Sequence, residues 1–272
     1  MKIQHWVVLG AIGLGVSLLA SPAIADGYSA CSGMPSQAAL GTALQAAVTN
    51  TGNGGLGFNM WATLVGNDGT VCAVAFSGHQ YTDQWLGSRV ISAQKANTAN
   101  DFSLSKNGPP GGSAFPHGLA LSTANLYSAV QPGGSLYGLQ HSNPVDTTVA
   151  YQGSSNQFGT ANDPMVGFRI GGVNVFGGGL GLYKPGGVKI GGVGVSGDTS
   201  CTDHMVAWRV RAILGLDLLN PVGGVSGDSK RPDNIIFDII PNPDGGTGNS
   251  KGGFGHPTCL NNPDPSTLPQ VH

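Results

Sequence analysis

Glycine sets the first limit on what this chain can fold into. There are 46 glycines among 272 residues, and only 10% of the residues are charged. Ordinary soluble domains are about 25% charged and about 7% Gly. The glycines do not recur at every third position, which excludes a collagen triple helix. A hydrophobic fraction of 40% is enough to build a core and sets the chain apart from the highly charged, weakly hydrophobic disordered class. The net charge of −2 argues against a nucleic-acid partner, which needs a basic surface.

The N-terminus has the layout of a secretory signal peptide over residues 1–25. Lys2 supplies the positive start, residues 6–20 form a short apolar run, and Ala23-Ile24-Ala25 is a small-x-small cleavage site. The run is shorter than the roughly 20 residues of a comfortable membrane span. No second stretch is long and apolar enough, so no membrane span is expected after cleavage. The chain therefore reads as exported, either periplasmic or secreted. In an oxidising compartment the four cysteines, Cys31, Cys72, Cys201 and Cys259, imply two disulfides. Three pairings are open. The preferred one joins Cys31 to Cys72 and Cys201 to Cys259, because each bond would tie an irregular terminal segment to a regular element. None of the cysteines belongs to a CxxC pair or a CxxCH motif.

Periodicity places the elements. Residues 36–48 read as a helix capped by Ser36, with Leu40, Ala43, Leu44 and Ala47 at helical spacing. Residues 59–65 and 71–76 read as a hairpin around Gly66-Asn67-Asp68-Gly69. Residues 84–103 read as a second helix whose stripe is mostly alanine, thin enough to lie close to a sheet or to another subunit. Asn107 to Gly112 terminates it. A short helix is expected over residues 122–130, followed by a polar, loop-like stretch over residues 138–163. Three short strands follow at residues 173–176, 180–183 and 188–195. A last helix spans residues 201–216, introduced by the capping-box-like Ser200-Cys201-Thr202-Asp203. After Asn220 only residues 235–240 form an apolar run. The expected architecture is a single α+β domain over residues 26–220. It has an antiparallel sheet of about five strands with helices packed on it, a long Gly/Pro-rich insertion over about residues 104–170, and an extended Pro/Gly/Asn-rich tail over residues 221–272.

Three segments carry a family resemblance. They are the helix motif from Ser88 to Ala99, the motif Gly171-Gly172-Val173-Asn174-Val175, and the motif Gly191-Gly192-Val193-Gly194-Val195-Ser196-Gly197 followed by Asp203. In this order they resemble the GlcG/HbpS family of haem-binding proteins, over roughly residues 36–216. The sequence departs from that pattern at Asn174, where proline is common, and at Asp203-His204, where the family usually has Asp-Glu. The resemblance implies a profilin-like fold, non-covalent haem binding, and homo-oligomers in some members.

Haem needs an apolar slot, an axial ligand, and donors for its propionates. His204 is the leading metal-ligand candidate by position. It lies in the first turn of a helix, where the dipole disfavours the imidazolium and keeps the ring neutral, as a ligand must be. His79 follows the second strand, and His117 and His141 lie in the insertion, where a ligand can reach a pocket. Arg89 and Lys95 are candidates for the propionates, whereas Arg209 and Arg211 read as dipole-compatible surface charge. No nucleophile elbow, Walker motif, dinucleotide fingerprint or HExxH is present. The expected function is an exported protein that binds, buffers or senses haem. The alternatives are an enzyme on the same fold that degrades haem or acts on a small organic acid, and a structural module used for oligomer contacts alone.

Overall fold

A computed structural model describes residues 30–106, 115–246 and 248–272. The signal-peptide segment and the Asn107–Gly112 terminator lie outside these residues. Three long helices carry the labels α1 (Gln37–Val48), α2 (Ser88–Asp101) and α3 (Ser200–Ile213). The strands of the main sheet are β1 (Trp61–Gly66), β2 (Val71–Phe76), β3 (Gly179–Lys184) and β4 (Val188–Ser196). The sheet is antiparallel, with spatial order β2-β1-β4-β3. This is a mixed helix-and-sheet architecture of the α+β kind.

The sheet is covered on both faces. Along β1, Ala62 and Leu64 point into a core shared with Leu40, Leu44, Met205 and Trp208 of α1 and α3. Trp61 and Val65 point the other way, into a cluster with Val90, Ala93 and Ala96 of α2. Strand residues alternate in facing, so a strand covered on both faces is apolar nearly throughout, as β1 is apart from Thr63, whose hydroxyl meets Ser92 Oγ at 2.7 Å. The Ala stripe of α2 is spent on this sheet within one chain.

Glycine on β4 makes the close approach possible. A Cβ on Gly194 would overlap the Ser92 carbonyl oxygen, and one on Gly192 would overlap the Ala96 carbonyl oxygen. Two of the three motifs behind the family resemblance therefore meet directly, helix backbone against strand backbone. The small side chains of α2 and the missing ones of β4 are two halves of one contact.

Several expectations are corrected. The sheet has four strands rather than about five, because residues 173–176 pair with no strand. Val173 and Val175 instead pack with Leu121, Leu126 and Val130, and the Asn174 backbone N–H donates to Thr98 Oγ1 of α2 (2.9 Å). The segment crosses the helix rather than joining the sheet edge. Helix α2 starts at Ser88, after a turn over residues 84–87. Thr199, not Ser200, caps α3: its Oγ1 accepts from the Thr202 backbone N–H (3.3 Å). The 122–130 helix is two turns of 3-10 helix, Thr123–Leu126 and Ser128–Val130. The loop-like stretch holds single-turn helices at Leu139–Ser142 and Thr147–Ala150. Within residues 235–240 only Ile239–Ile240 forms a strand, paired with Asn249–Ser250.

The two disulfides are Cys31–Cys72 and Cys201–Cys259, the preferred pairing. The second ties the tail to the start of α3. The tail wraps that helix closely: Trp208 Nε1 donates to the Pro269 carbonyl (3.0 Å), and Leu268 is buried in the core. Arg211 is not surface charge. It is fully buried and paired with Asp233 of the tail. A helix buried on nearly every face needs such a cover. Among the described residues, no helix is long and apolar enough to cross a membrane.

Candidate functional site

The cations expected at a ligand are found in buried ion pairs. Lys95 Nζ meets Asp203 Oδ2 at 2.7 Å and donates to the Val195 carbonyl at 3.0 Å. Its ammonium also lies 4.4 Å from the centre of the Phe176 ring. Burial pushes the Asp203 carboxyl up to about 6, against the pull of Lys95. Burial also lowers Lys95, and Asp203 opposes that shift. Arg89 grips Asp163 through both Nε and Nη2, donates to the Ala150 carbonyl, and stacks on Phe158 with 3.8 Å from guanidinium carbon to ring centre. These pairs join α2 to β4, α3 and the 145–170 segment.

His204 has no exposed surface. Its Nε2 lies 3.2 Å from both Asn234 Oδ1 and the Ile235 backbone N–H in the tail. Its Nδ1 has no hydrogen-bond partner among the described residues. Burial lowers its pKa to about 4, so loss of hydration, rather than the helix terminus invoked from the sequence, favours the neutral ring. The tail nevertheless stands between His204 and solvent. His117 and His141 are exposed, on a turn and on the Leu139–Ser142 helix. Among the described residues, no histidine lines the clefts of 310, 430, 370, 380 and 230 Å³.

His79 has different surroundings. It is exposed, in the turn after β2 that also carries Tyr81, Trp85 and Leu86. These are 38%, 54% and 65% exposed. The neighbouring loop before β1 adds Leu56 and Phe58, also exposed. Phe58 and Trp85 meet edge to face, 5.4 Å between ring centres, and Tyr81 meets Phe158 in the same way at 6.0 Å.

Two carboxylates and an amide hold these loops. Asp198, at the end of β4, accepts from the backbone N–H groups of Leu56 (2.9 Å) and Phe58 (3.1 Å). Both Leu56 and Phe58 are exposed, on either side of Gly57, whose φ is +78°. Asp83 Oδ2 accepts from the backbone N–H groups of His79 (2.9 Å) and Gln80 (2.8 Å). The Gln80 bond, then that from His79, holds the Asp83 carboxyl below its ordinary value. Gln84 Nε2 donates to the Gly197 carbonyl (2.7 Å) and to that of Asn59, which joins the two loops.

Against the needs of haem, these loops supply exposed apolar side chains and one accessible imidazole, and none of the clefts given above is lined by them. They do not bring Arg89 or Lys95, which Asp163 and Asp203 retain. His79 was a candidate in the sequence, but the exposed aromatic residues that share its turn were not. Isolated aromatics in a turn carry no periodicity. The available signal was three bulky apolar residues, Tyr81, Trp85 and Leu86, inside a short polar stretch bounded by Gly78 and Gly87.

No family model matches the chain, and no curated protein matches it. Among solved structures it is similar to the PduOC:heme complex, at 22% identity over 65% of this chain and 89% of that one, with a TM-score of 0.41. It is also similar to the Klebsiella pneumoniae protein ORFY, at 24% identity over 66% of this chain and 90% of that one, with a TM-score of 0.39.

Proposed function

We propose that this chain is an exported haem-binding protein of the GlcG/HbpS type. Phe58, Tyr81, Trp85 and Leu86 would hold the haem, and the imidazole of His79 would supply a ligand to its iron. The observation that carries the reading is the exposed imidazole of His79 in the same turn as exposed Tyr81, Trp85 and Leu86. Motif order along the sequence supports the family. The antiparallel sheet covered by helices on both faces supports a profilin-like domain over residues 26–220, with residues 221–272 as an added cover. The two disulfides are compatible with export. An exposed aromatic surface also suits a homo-oligomer, with haem at or near the contact.

Titration of the purified chain with hemin tests this. The expected result is a saturating Soret band at one haem per chain, with the ligand-field spectrum changed in His79→Ala and affinity lowered at least about tenfold in Trp85→Ala. Titration without a saturating band overturns the function. Saturation unaltered by both substitutions overturns the site, and His117→Ala, His141→Ala and His204→Ala then locate the ligand. Size-exclusion chromatography with and without hemin reads the oligomer.

A further inference from the structure

The Cys201–Cys259 disulfide lies against a histidine that the haem reading does not use. His256 is 1% exposed and has a partner at each ring nitrogen. Nδ1 lies 2.7 Å from the Pro257 carbonyl oxygen, and Nε2 lies 3.1 Å from Ser200 Oγ. Nδ1 is also 3.9 Å from Cys201 Sγ, and Ser200 Oγ is 3.6 Å from Cys259 Sγ. One donor atom from each of Cys201, His256 and Cys259 falls within 4.8 Å of the others. Tetrahedral zinc, with Zn–S about 2.3 Å and Zn–N about 2.1 Å, places neighbouring donors roughly 3.5–3.8 Å apart. Reaching that spacing requires the two sulfurs to separate and His256 to stay within reach of both, which their present separations of under 4.8 Å allow.

The surroundings suit thiolates and a ligating imidazole. Cys201 lies in the first turn of α3, and its backbone N–H donates to Cys259 Sγ at 3.2 Å. A helix N-terminus lowers the pKa of a thiol and favours its thiolate. Whichever ring nitrogen of His256 takes a metal, the other already has a hydrogen-bond partner, the arrangement that orients ligating histidines. Cys201 and His256 are buried while Cys259 is half-buried, which leaves an entry side.

We propose that two-electron reduction of Cys201–Cys259 opens a zinc-class metal site built from Cys201 Sγ, Cys259 Sγ and one ring nitrogen of His256. A fourth position is left for water or the Ser200 hydroxyl. The reductant is a dithiol. The protein S–S bond breaks, the dithiol closes to its cyclic disulfide, and its two protons pass to Cys201 and Cys259. The divalent ion then displaces both protons to solvent as two metal–sulfur bonds form. The tail stays tied to α3 in either state, by a covalent bond when oxidised and by the ion when reduced.

Cobalt(II) titration of the full chain tests this, before and after anaerobic dithiol reduction with the reductant removed. The expected result is one equivalent of cobalt with tetrahedral ligand-field bands and a thiolate charge-transfer band, in the reduced chain only. His256→Ala should weaken binding at least about tenfold, since loss of a mere supporting partner already costs that much. Because Cys31–Cys72 is reduced too, Cys31→Ser/Cys72→Ser should retain the spectrum. Absence of the bands in the reduced chain overturns the proposal, as do cobalt affinity and a spectrum left unchanged by His256→Ala, or a spectrum that disappears in a folded Cys31→Ser/Cys72→Ser protein. If that double variant fails to fold by circular dichroism, the reduced wild type against reduced His256→Ala decides alone.

Discussion

Lys95 Nζ and Asp203 Oδ2 stand 2.7 Å apart, with side chains 0% and 1% exposed. Around this pair α2, β4 and α3 meet, because Lys95 also donates to the Val195 carbonyl and Asp203 Oδ1 accepts from the Asp198 backbone N–H. Two buried charges are tolerated only when their hydrogen bonds are supplied. Here the strand end and the turn before α3 supply them. The same turn leads to Asp198 Oδ1 and Oδ2, which fix the apolar loop of the candidate site. The ion pair is thus a support beneath that site rather than part of it.

Breaking the pair from one side should be costly. Lys95→Met leaves a buried carboxylate without its partner and is expected to cost about 3–5 kcal/mol. Urea unfolding followed by circular dichroism measures it. A loss under about 1 kcal/mol would show that Asp203 finds water or another donor.

Two Gly→Ala substitutions should have opposite signs. Gly194→Ala forces α2 away from β4 and should cost about 1–3 kcal/mol or more by overpacking. Gly41 lies inside helix α1, where an added Cβ meets only the Ala75 Cβ at 4.0 Å. Gly41→Ala should therefore stabilise by about 0.5–1 kcal/mol through helix propensity. Paired denaturation curves check both, and a stabilising Gly194→Ala would contradict the close-approach account.

Acid should loosen the tail. Burial lowers both His204 and His256 to about 4 from an ordinary 6.5. In the unfolded chain each ring gains its proton near 6.5, whereas the folded state resists until about 4. The unfolded state therefore binds more protons in that window, and stability falls as pH drops from about 6.5 to 4, by roughly 3 kcal/mol per ring. Asp203, raised to about 6, acts in the opposite sense over part of the range. The difference between wild type and His204→Gln isolates one ring. Its pH slope should be shallower in the variant, and equal slopes would refute the assignment.

Arg89→Lys should release the 145–170 segment although the charge is kept. Lysine cannot reproduce the two-pronged grip on Asp163 or the stacking on Phe158. The expected loss is about 2–4 kcal/mol, with faster limited proteolysis within that segment. Unchanged cleavage would mean that Met165 and Ile170, buried against α2 and the sheet, hold it without the arginine.

Legibility was uneven, for physical reasons. The hairpin β1–β2, the three long helices and the strands β3 and β4 followed from periodicity and turn chemistry. The helices and the β1–β2 and β3–β4 ladders make their hydrogen bonds with near neighbours in sequence, whereas the β1–β4 ladder that joins the two hairpins is long-range. Residues 173–176 have strand composition but lie across α2, and no local pattern distinguishes those two uses of Val-Asn-Val. The candidate site was half legible. His79 could be named from its place after a strand, whereas Phe58 and Trp85 meet only because Asp198 and Gln84 bring their loops together.

By itself, the sequence determined the element types, the sign and scarcity of charge, and the motifs that place glycine and alanine opposite one another. Tertiary structure alone decided what the charged and imidazole groups are for. Arg89, Lys95, Arg211 and His204 have the chemistry of ligand-binding residues, yet each is buried with a partner far away in sequence. Hydration is the reason. A charge left in water is free for a ligand, whereas one stripped of water must be paired within the protein, and only the folded chain determines which of these applies.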